Sequence, residues 1–441
     1  MKIKIRGSIT VYIFLLLCLS INAAMADDTG KKVKIDEEDD VVLVLKPTQK
    51  QAEYKANVPV KYILSVKNNL KEAQSGKITY AIANFDWTGK IIKEMPVSLA
   101  SNSSRSISLE LPARATGIYH IEVFVNLTEY DDTLRKVCVV DPRGIRSKYA
   151  RPADFDQFWS NTKADLAKVQ PQYKITERPE LAKNDLTVYL FEMKSFGDVT
   201  VRGWLTIPKG KKNQKWPVWI GLPGYQIESK PIYGANEMAV LTLDVRGQGM
   251  SKDVISVANK KDFINLGIED KNTYVYRGVL MDCIRAIDFA CSRPNLDSEA
   301  ISVTGGSAGG FLALALVSLD NRVTLCSADN PVFSDWRSLV GKKEWPMSDI
   351  EAHAKKDSSL PQVLNTLDYF DLKNFVSNIK CPVLMGIGLL DPLAPPYNSY
   401  IMYNNIPGDK IMHVYPDLTH EIPAEHAHFA SYWMMDHLGL Y

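Results

Sequence analysis

Two hydrophobic rhythms divide the chain. From Val41 to about Asp141, apolar and polar residues alternate over short runs, as half-buried strands require. Residues 58–66 form one such run, ending at Lys67-Asn-Asn. Residues 77–83 lead into Asp86-Trp-Thr-Gly89, a hairpin-like turn, and then Ile91-Ile92. Residues 106–111 alternate strictly, and 117–125 and 134–140 complete the series. Short strands at this spacing predict an all-β sandwich over 41–141. No set of residues in it resembles a catalytic site. Its expected role is packing or positioning, with carbohydrate binding as the alternative.

Past Asp141-Pro-Arg-Gly144, which reads as a linker, the rhythm changes. Residues 152–169 carry Phe155, Phe158, Trp159 and Leu166 as an apolar stripe and predict a helix. Residues 187–208 hold two strands around Phe196-Gly-Asp198. The runs 217–222 and 238–243 are short and continuously apolar, as strands buried on both faces should be, and 323–328, 382–387 and 411–415 read as later strands. Residues 274–291 place Val275, Val279, Cys283, Ile287 and Ala290 on one helical face, and a closing helix spans 423–438. Strands alternating with helices over 150–441 predict a mostly parallel sheet flanked by helices. In such sheets ligands gather at the carboxyl ends of the strands.

One strand end carries chemistry. Residues 300–304 are β-prone, and Gly305-Gly306-Ser307-Ala308-Gly309-Gly310 follows. Residues 311–319 then form an apolar helix with no breaker. Strand, G-x-S-x-G and helix together make a nucleophile elbow, in which a serine is forced into a strained turn. The Ala308 N–H then lies at a helix N-terminus, where a developing oxyanion is favoured.

A serine hydroxyl needs a base, and the base needs a carboxylate to orient it. In chains of this kind the order is serine, acid, histidine. Of seven histidines, His120 lies in the β-region, His353 in a polar helical stretch and His413 inside a strand. His426, His428 and His437 fall on the closing helix. Only His420 occupies a loop after a late strand, which makes it the expected base. Asp391 follows the apolar run 383–390 and is the expected acid. Asp417 is the second choice; Asp368 and Asp371 precede the strand and are worse placed. A second oxyanion donor should come from the loop after an early strand, Gly221-Leu-Pro-Gly-Tyr225-Gln226, with the Tyr225 N–H as candidate. The run 420–428 lacks H-E-x-x-H spacing, so zinc is rejected. No cofactor is expected.

Composition narrows the picture. Over 441 residues, 46% apolar and 23% charged content with a net charge of +1 is ordinary for a soluble protein and gives no reason to expect nucleic acid or an anionic membrane as partner. Lys2, Lys4 and Arg6, an apolar run over 9–21, and Ala24-Met-Ala26 read as a secretory signal cleaved after Ala26. A charged leader over 27–40 would follow, and the location expected is secreted or periplasmic. Apart from Cys18 in the signal, the cysteines Cys138, Cys283, Cys291, Cys326 and Cys381 are scattered and indicate neither a disulfide framework nor a metal knuckle.

Arg246-Gly-Gln248-Gly249, Gly305-Gly-Ser-Ala-Gly-Gly310 and His420-Glu421 resemble the RGQ, GxSQG and HE signatures of carbohydrate esterase family 7. That is the acetyl xylan esterase and cephalosporin C deacetylase family of the α/β-hydrolase superfamily. Supporting runs are Tyr274-Val-Tyr-Arg277 with Asp282–Asp288, Leu367–Asp371 with Asn374-Phe375, and Asp391–Pro396. The likeness covers about 150–441. It implies a serine esterase that removes O-acetyl groups from small acetylated sugars, xylo-oligosaccharides or other small acetyl esters. Ser307, His420 and Asp391 would be nucleophile, base and acid. Tyr225 and Ala308 would supply the oxyanion hole, and Arg246, Gln248 and Glu421 would support the site, Arg246 pairing with Glu421 to hold the histidine loop. The family often assembles as a hexamer, so a homo-oligomer is expected unless the β-region obstructs it. Ala308 stands where the family has Gln, and Pro223 where it has His. Both departures bear on substrate range. A serine peptidase of the same fold and a non-catalytic polysaccharide-binding protein are the rival readings.

Overall fold

Strict alternation buries every second side chain of the first strands. In a computed structural model, which describes residues 40–440 except 184, 211, 212, 256, 258 and 358, Val60, Tyr62, Leu64 and Val66 point inward from β3 (Val60–Asn68). The expected signal peptide and most of the leader lie outside the described residues. Strand β3 pairs antiparallel with β1 (Val41–Pro47) and β6 (Ser103–Leu111). A second sheet runs β2 (Glu53–Tyr54), β8 (Asp131–Val140), β7 (Gly117–Leu127), β4 (Gln74–Asn84), β5 (Ile91–Leu99). Leu64 and Leu109 of one sheet and Ile78, Ile121 and Val123 of the other share a single core. That core does not stop at the last β-strand of this region. It also takes in Ile387, Leu389, Tyr400, Ile401 and Val414 from the second half of the chain.

The second half is built on a nine-stranded sheet. Three antiparallel strands, β9 (Lys174–Glu177), β10 (Leu186–Lys194) and β11 (Thr200–Pro208), form one edge. The others are β12 (Trp216–Leu222), β13 (Ala239–Asp244), β14 (Leu296–Gly306), β15 (Leu325–Asp329), β16 (Val383–Gly388) and β17 (Lys410–Tyr415). These run parallel to one another in the order β17-β16-β15-β14-β12-β13. Every residue of β13 and β16 is buried, which is why those segments read as unbroken apolar runs. Helices α1 (Phe155–Ala167), α2 (Val275–Cys291) and α3 (Ala308–Leu319) pack on the sheet within one large core. Further along are α4 (Met347–Asp357), α5 (Leu360–Leu367), α6 (Leu372–Phe375), α7 (Pro396–Asn405) and α8 (Ala424–His437). All twelve residues of α3 are buried, because the sheet covers one side of this helix and α2 and α6 cover the others. This is the α/β-hydrolase architecture, with β14 central and its carboxyl end facing the loops after β12, β16 and β17.

The two halves are joined by polar contacts as well as by the shared core. Tyr400 donates to Glu53 Oε1 (2.7 Å), Asn404 to the carbonyls of Pro142 and Ile145 (2.7 and 3.0 Å), and Lys136 pairs with Asp417 (2.6 Å). The cysteines at 138, 283, 291, 326 and 381 are free thiols, all but Cys291 buried.

Candidate active site

Ser307 stands where β14 turns directly into α3. Its backbone lies at φ 58°, ψ −121°, a conformation that costs a non-glycine residue on the order of 1–3 kcal/mol. Glycine neighbours make the turn sterically feasible. A Cβ on Gly305 would stand 2.2 Å from the Gly309 oxygen, and one on Gly309 would stand 2.5 Å from the Leu222 oxygen. The Ser307 N–H donates to the Asp329 carbonyl at the end of β15 (2.8 Å), latching the elbow to the adjacent strand.

His420 and Asp391 arrive from loops after β17 and β16. The two loops are stitched together: Leu389 N–H donates to Tyr415 O and Leu390 N–H to Leu418 O, both at 3.0 Å. Gly388 leaves the histidine loop room to pass, since a Cβ there would lie 2.1 Å from Thr419 O. His420 Nδ1 lies 2.7 Å from Asp391 Oδ2, and Nε2 lies 2.8 Å from Ser307 Oγ. With its hydrogen on Nδ1, the imidazole donates to the carboxylate and accepts from the hydroxyl, so one tautomer satisfies both contacts. Asp391 is buried and its other oxygen accepts from the N–H groups of Leu393 and Ala394 (2.8 and 2.9 Å).

The loop after β12 borders the elbow, as the Leu222–Gly309 contact requires. Tyr225 anchors it from within. Its buried hydroxyl donates to Lys260 O (2.9 Å) and accepts from Ile264 N–H (3.1 Å). Burial pushes the phenol pKa up and keeps it protonated. The next residue, Gln226, adopts φ 57° and donates its N–H to Gln248 Oε1 (3.0 Å). Gln248 is itself buried, so it holds the turn that carries the Tyr225 N–H. Ala308 opens α3, where the N–H groups of the first turn lack intrahelical acceptors.

One expectation is corrected. Arg246 pairs with Asp282 of α2, not with Glu421, whose side chain is exposed. Asp282 Oδ1 accepts from Arg246 Nη2 (2.7 Å), and Oδ2 accepts from its Nε (2.9 Å) and its N–H (3.0 Å). A fully buried carboxylate demands such a partner, whereas an exposed one is served by water. Gly278 makes space for the guanidinium, since a Cβ there would lie 2.2 Å from Nη1. Asp282→Ala would leave the Arg246 charge uncompensated and is expected to cost about 3–5 kcal/mol. A urea titration against the parent checks this, and an unchanged midpoint would show the pair to be dispensable. The second-choice acid, Asp417, faces Lys136 instead, Asp368 pairs with Arg337 (2.7 Å), and Asp371 caps α6.

Sequence reading does not reveal a further cluster behind the elbow, built on the buried His426. His426 Nε2 bonds Asp329 Oδ1 (2.9 Å), and its Nδ1 lies 3.2 Å from His413 Nδ1. Burial lowers the His413 pKa, keeping that ring neutral. The cluster therefore braces the strand end that latches Ser307. The available signal was a histidine in the edge strand β17 and another on the closing helix, with nothing local to join them.

A strained serine at the end of a central parallel strand, bonded to a histidine whose far nitrogen meets a buried carboxylate, defines an α/β-hydrolase. The family described as Acetyl xylan esterase (AXE1) matches residues 142–437. The chain belongs to that family and is a carboxylic ester hydrolase. Among curated relatives, it is 28% identical over 306 residues to acetyl esterase Axe7A of Xylanibacter ruminicola, covering 66% of this chain and 69% of that protein. Among solved structures it is similar to the acetyl xylan esterase from Paenibacillus sp. R4, with 30% identity and a TM-score of 0.63 over 67% of this chain and 98% of that one. Acetyl xylan esterase 1 from Thermoanaerobacterium sp. JW/SL YS485 gives 26% identity and 0.61 over 68% and 98%. The matched family span begins after β8, so both sheets of the β-sandwich lie outside it.

Proposed function

We propose that the protein removes O-acetyl groups from small acetylated sugars or xylo-oligosaccharides through an acetyl-enzyme on Ser307. The hydrogen-bonded chain from Ser307 through His420 to Asp391, at 2.8 and 2.7 Å, carries this reading. Ser307 Oγ attacks the acetyl carbonyl while His420 Nε2 takes its proton. Asp391 stabilises the imidazolium that forms. The tetrahedral oxyanion is held by the N–H groups of Ala308 and Tyr225. His420 then returns the proton to the departing sugar oxygen, which leaves as an alcohol. Water, activated by the same imidazole, attacks the acetyl-enzyme and releases acetate. Arg246 and Gln248 act behind this chemistry by fixing α2 and the Tyr225 turn.

A panel of acetylated xylo-oligosaccharides, 4-nitrophenyl acetate, its butyrate and a peptidyl anilide tests the reading. Acetate release from the sugars and little turnover of the anilide are expected. Preferential cleavage of the anilide would make the protein a peptidase, and inertness toward all four would make it a binder. Export is part of the same proposal: residues 1–26 carry the basic, apolar and A-x-A pattern of a cleaved signal. N-terminal sequencing of protein recovered from outside the cytoplasm is then expected to begin at Asp27.

A further inference from the structure

Between the β-sandwich and the hydrolase half lies a cavity of about 990 Å³ whose lining includes neither Ser307 nor His420. Its hydrolase wall includes the loop bearing Asp391 and the ring of Trp345. Trp345 packs on Tyr225 at 4.8 Å between ring centroids, so the cavity adjoins the oxyanion loop on one side and the acid loop on the other. Its opposite wall is the tip of the β4–β5 hairpin.

That tip is organised around one tryptophan. Trp87 is 45% exposed and lines the cavity, where most tryptophans would be covered. It stacks on His120 at 4.1 Å and 4° between planes, and His120 stacks in turn on Phe85 at 5.0 Å and 10°. His120 Nε2 bonds the Phe85 carbonyl (3.1 Å), and burial lowers its pKa, so the middle ring is neutral. The backbone beneath is fixed by Trp87 N–H to Asn84 O (2.8 Å) and Asn84 N–H to Thr88 O (2.9 Å). One face of the indole is backed by a stack of rings. Tyr149, 41% exposed, lines the same cavity. Charged groups of both signs border the rings: Asp86, Asp335 and Glu344 against Lys148, Arg337 and Lys342 line the cavity, and the Lys90 ammonium lies 5.9 Å from the Trp87 ring centroid.

We infer that this interdomain cleft is a sugar-binding site, and that Trp87 is the platform on which a pyranose ring of an oligosaccharide substrate stacks beyond the acetylated residue. A pyranose offers an apolar C–H face edged by hydroxyls. It needs a flat aromatic surface with donors and acceptors at the rim, and this cleft presents that combination. A polyanion would want one sign of charge, and a lipid chain would want no charged rim. The shared core across β16, β17 and α7 holds the sandwich against the hydrolase half, so the platform is preset rather than recruited on binding. The inference rests on the deacetylase reading for the class of ligand, but its test does not depend on turnover.

The Ser307→Ala protein, titrated calorimetrically with acetylated xylo-oligosaccharides of increasing length, is expected to bind the longer ones more tightly. Adding Trp87→Ala should weaken that binding about tenfold, the worth of one aromatic stack. Trp87→Phe should recover most of it, and Phe124→Ala, an exposed aromatic outside the cleft, should change nothing. Thermal melts of each variant separate lost affinity from lost fold. In the otherwise wild-type enzyme, Trp87→Ala should lower kcat/KM for the oligosaccharide about tenfold relative to that for 4-nitrophenyl acetate. Affinity indifferent to Trp87 in a folded variant, or no sugar binding by the Ser307→Ala protein, overturns the cleft assignment while wild-type acetate release still upholds the esterase. Sugar binding that depends on Trp87 in a protein unable to cleave any ester would do the reverse.

Discussion

Ser307→Ala is expected to lower kcat for 4-nitrophenyl acetate on the order of 10⁵- to 10⁶-fold, the scale on which serine hydrolases lose rate with their nucleophile. Only the hydroxyl is removed, and with it the 2.8 Å hydrogen bond to His420 Nε2. The fold should therefore hold to within about 1 kcal/mol, the net worth of one hydrogen bond. The strained backbone at φ 58° is unaffected in kind, because alanine has a Cβ as serine does. What rate remains would come from the N–H groups of Ala308 and Tyr225 and from substrate binding. A fluorophosphonate probe gives an independent reading: it should label the wild-type protein at Ser307 and leave the variant unlabelled. A folded variant that keeps a hundredth of the wild-type rate would remove Ser307 from the chemistry.

What the chain disclosed of itself follows from where the information sits. The elbow was legible because its constraints are local: two glycines, a serine between them, and an apolar helix former behind. Strands β12, β13 and β16 were legible because burial leaves them almost wholly apolar. Strand β5 was foreseen only at Ile91-Ile92, since it lies at a sheet edge, is largely exposed, and contains Pro96. Proline is tolerated at such an edge, and it mutes the alternation that would have marked the strand. Strand β9 is four mostly exposed residues at the other sheet's margin and carries no pattern at all. The pairing of Arg246 with Asp282 and the stack of Trp87, His120 and Phe85 are contacts between distant segments. Their partners are chosen by how elements cross, and no periodicity encodes a crossing. The Arg246 partner is an example: the HE motif points to Glu421, whereas burial selects Asp282.

The acid of the site supplies the second large effect. Asp391→Asn is expected to lower kcat about 10⁴-fold, with a much smaller change in KM. Asp391 is buried, with Oδ1 held by the Leu393 and Ala394 N–H groups and Oδ2 facing His420 Nδ1. An asparagine in the same position would keep its carbonyl oxygen toward those two donors, because an amide NH₂ there would meet N–H groups head on. The NH₂ would then face Nδ1 and donate to it, driving the imidazole hydrogen to Nε2. In that tautomer Nε2 can only donate to Ser307, so the base is lost although every atom stays in place. The imidazolium formed during attack would also lack its counter-charge. Asp417→Asn is the matching control: that carboxylate lies close to His420 in sequence but is engaged by Lys136, and its loss should leave kcat nearly unchanged. Steady-state kinetics on the two variants, with melting curves to confirm folding, decide the matter. Should Asp391→Asn retain a tenth of the wild-type kcat, or should Asp417→Asn suffer the larger loss, the orienting role belongs to a different group.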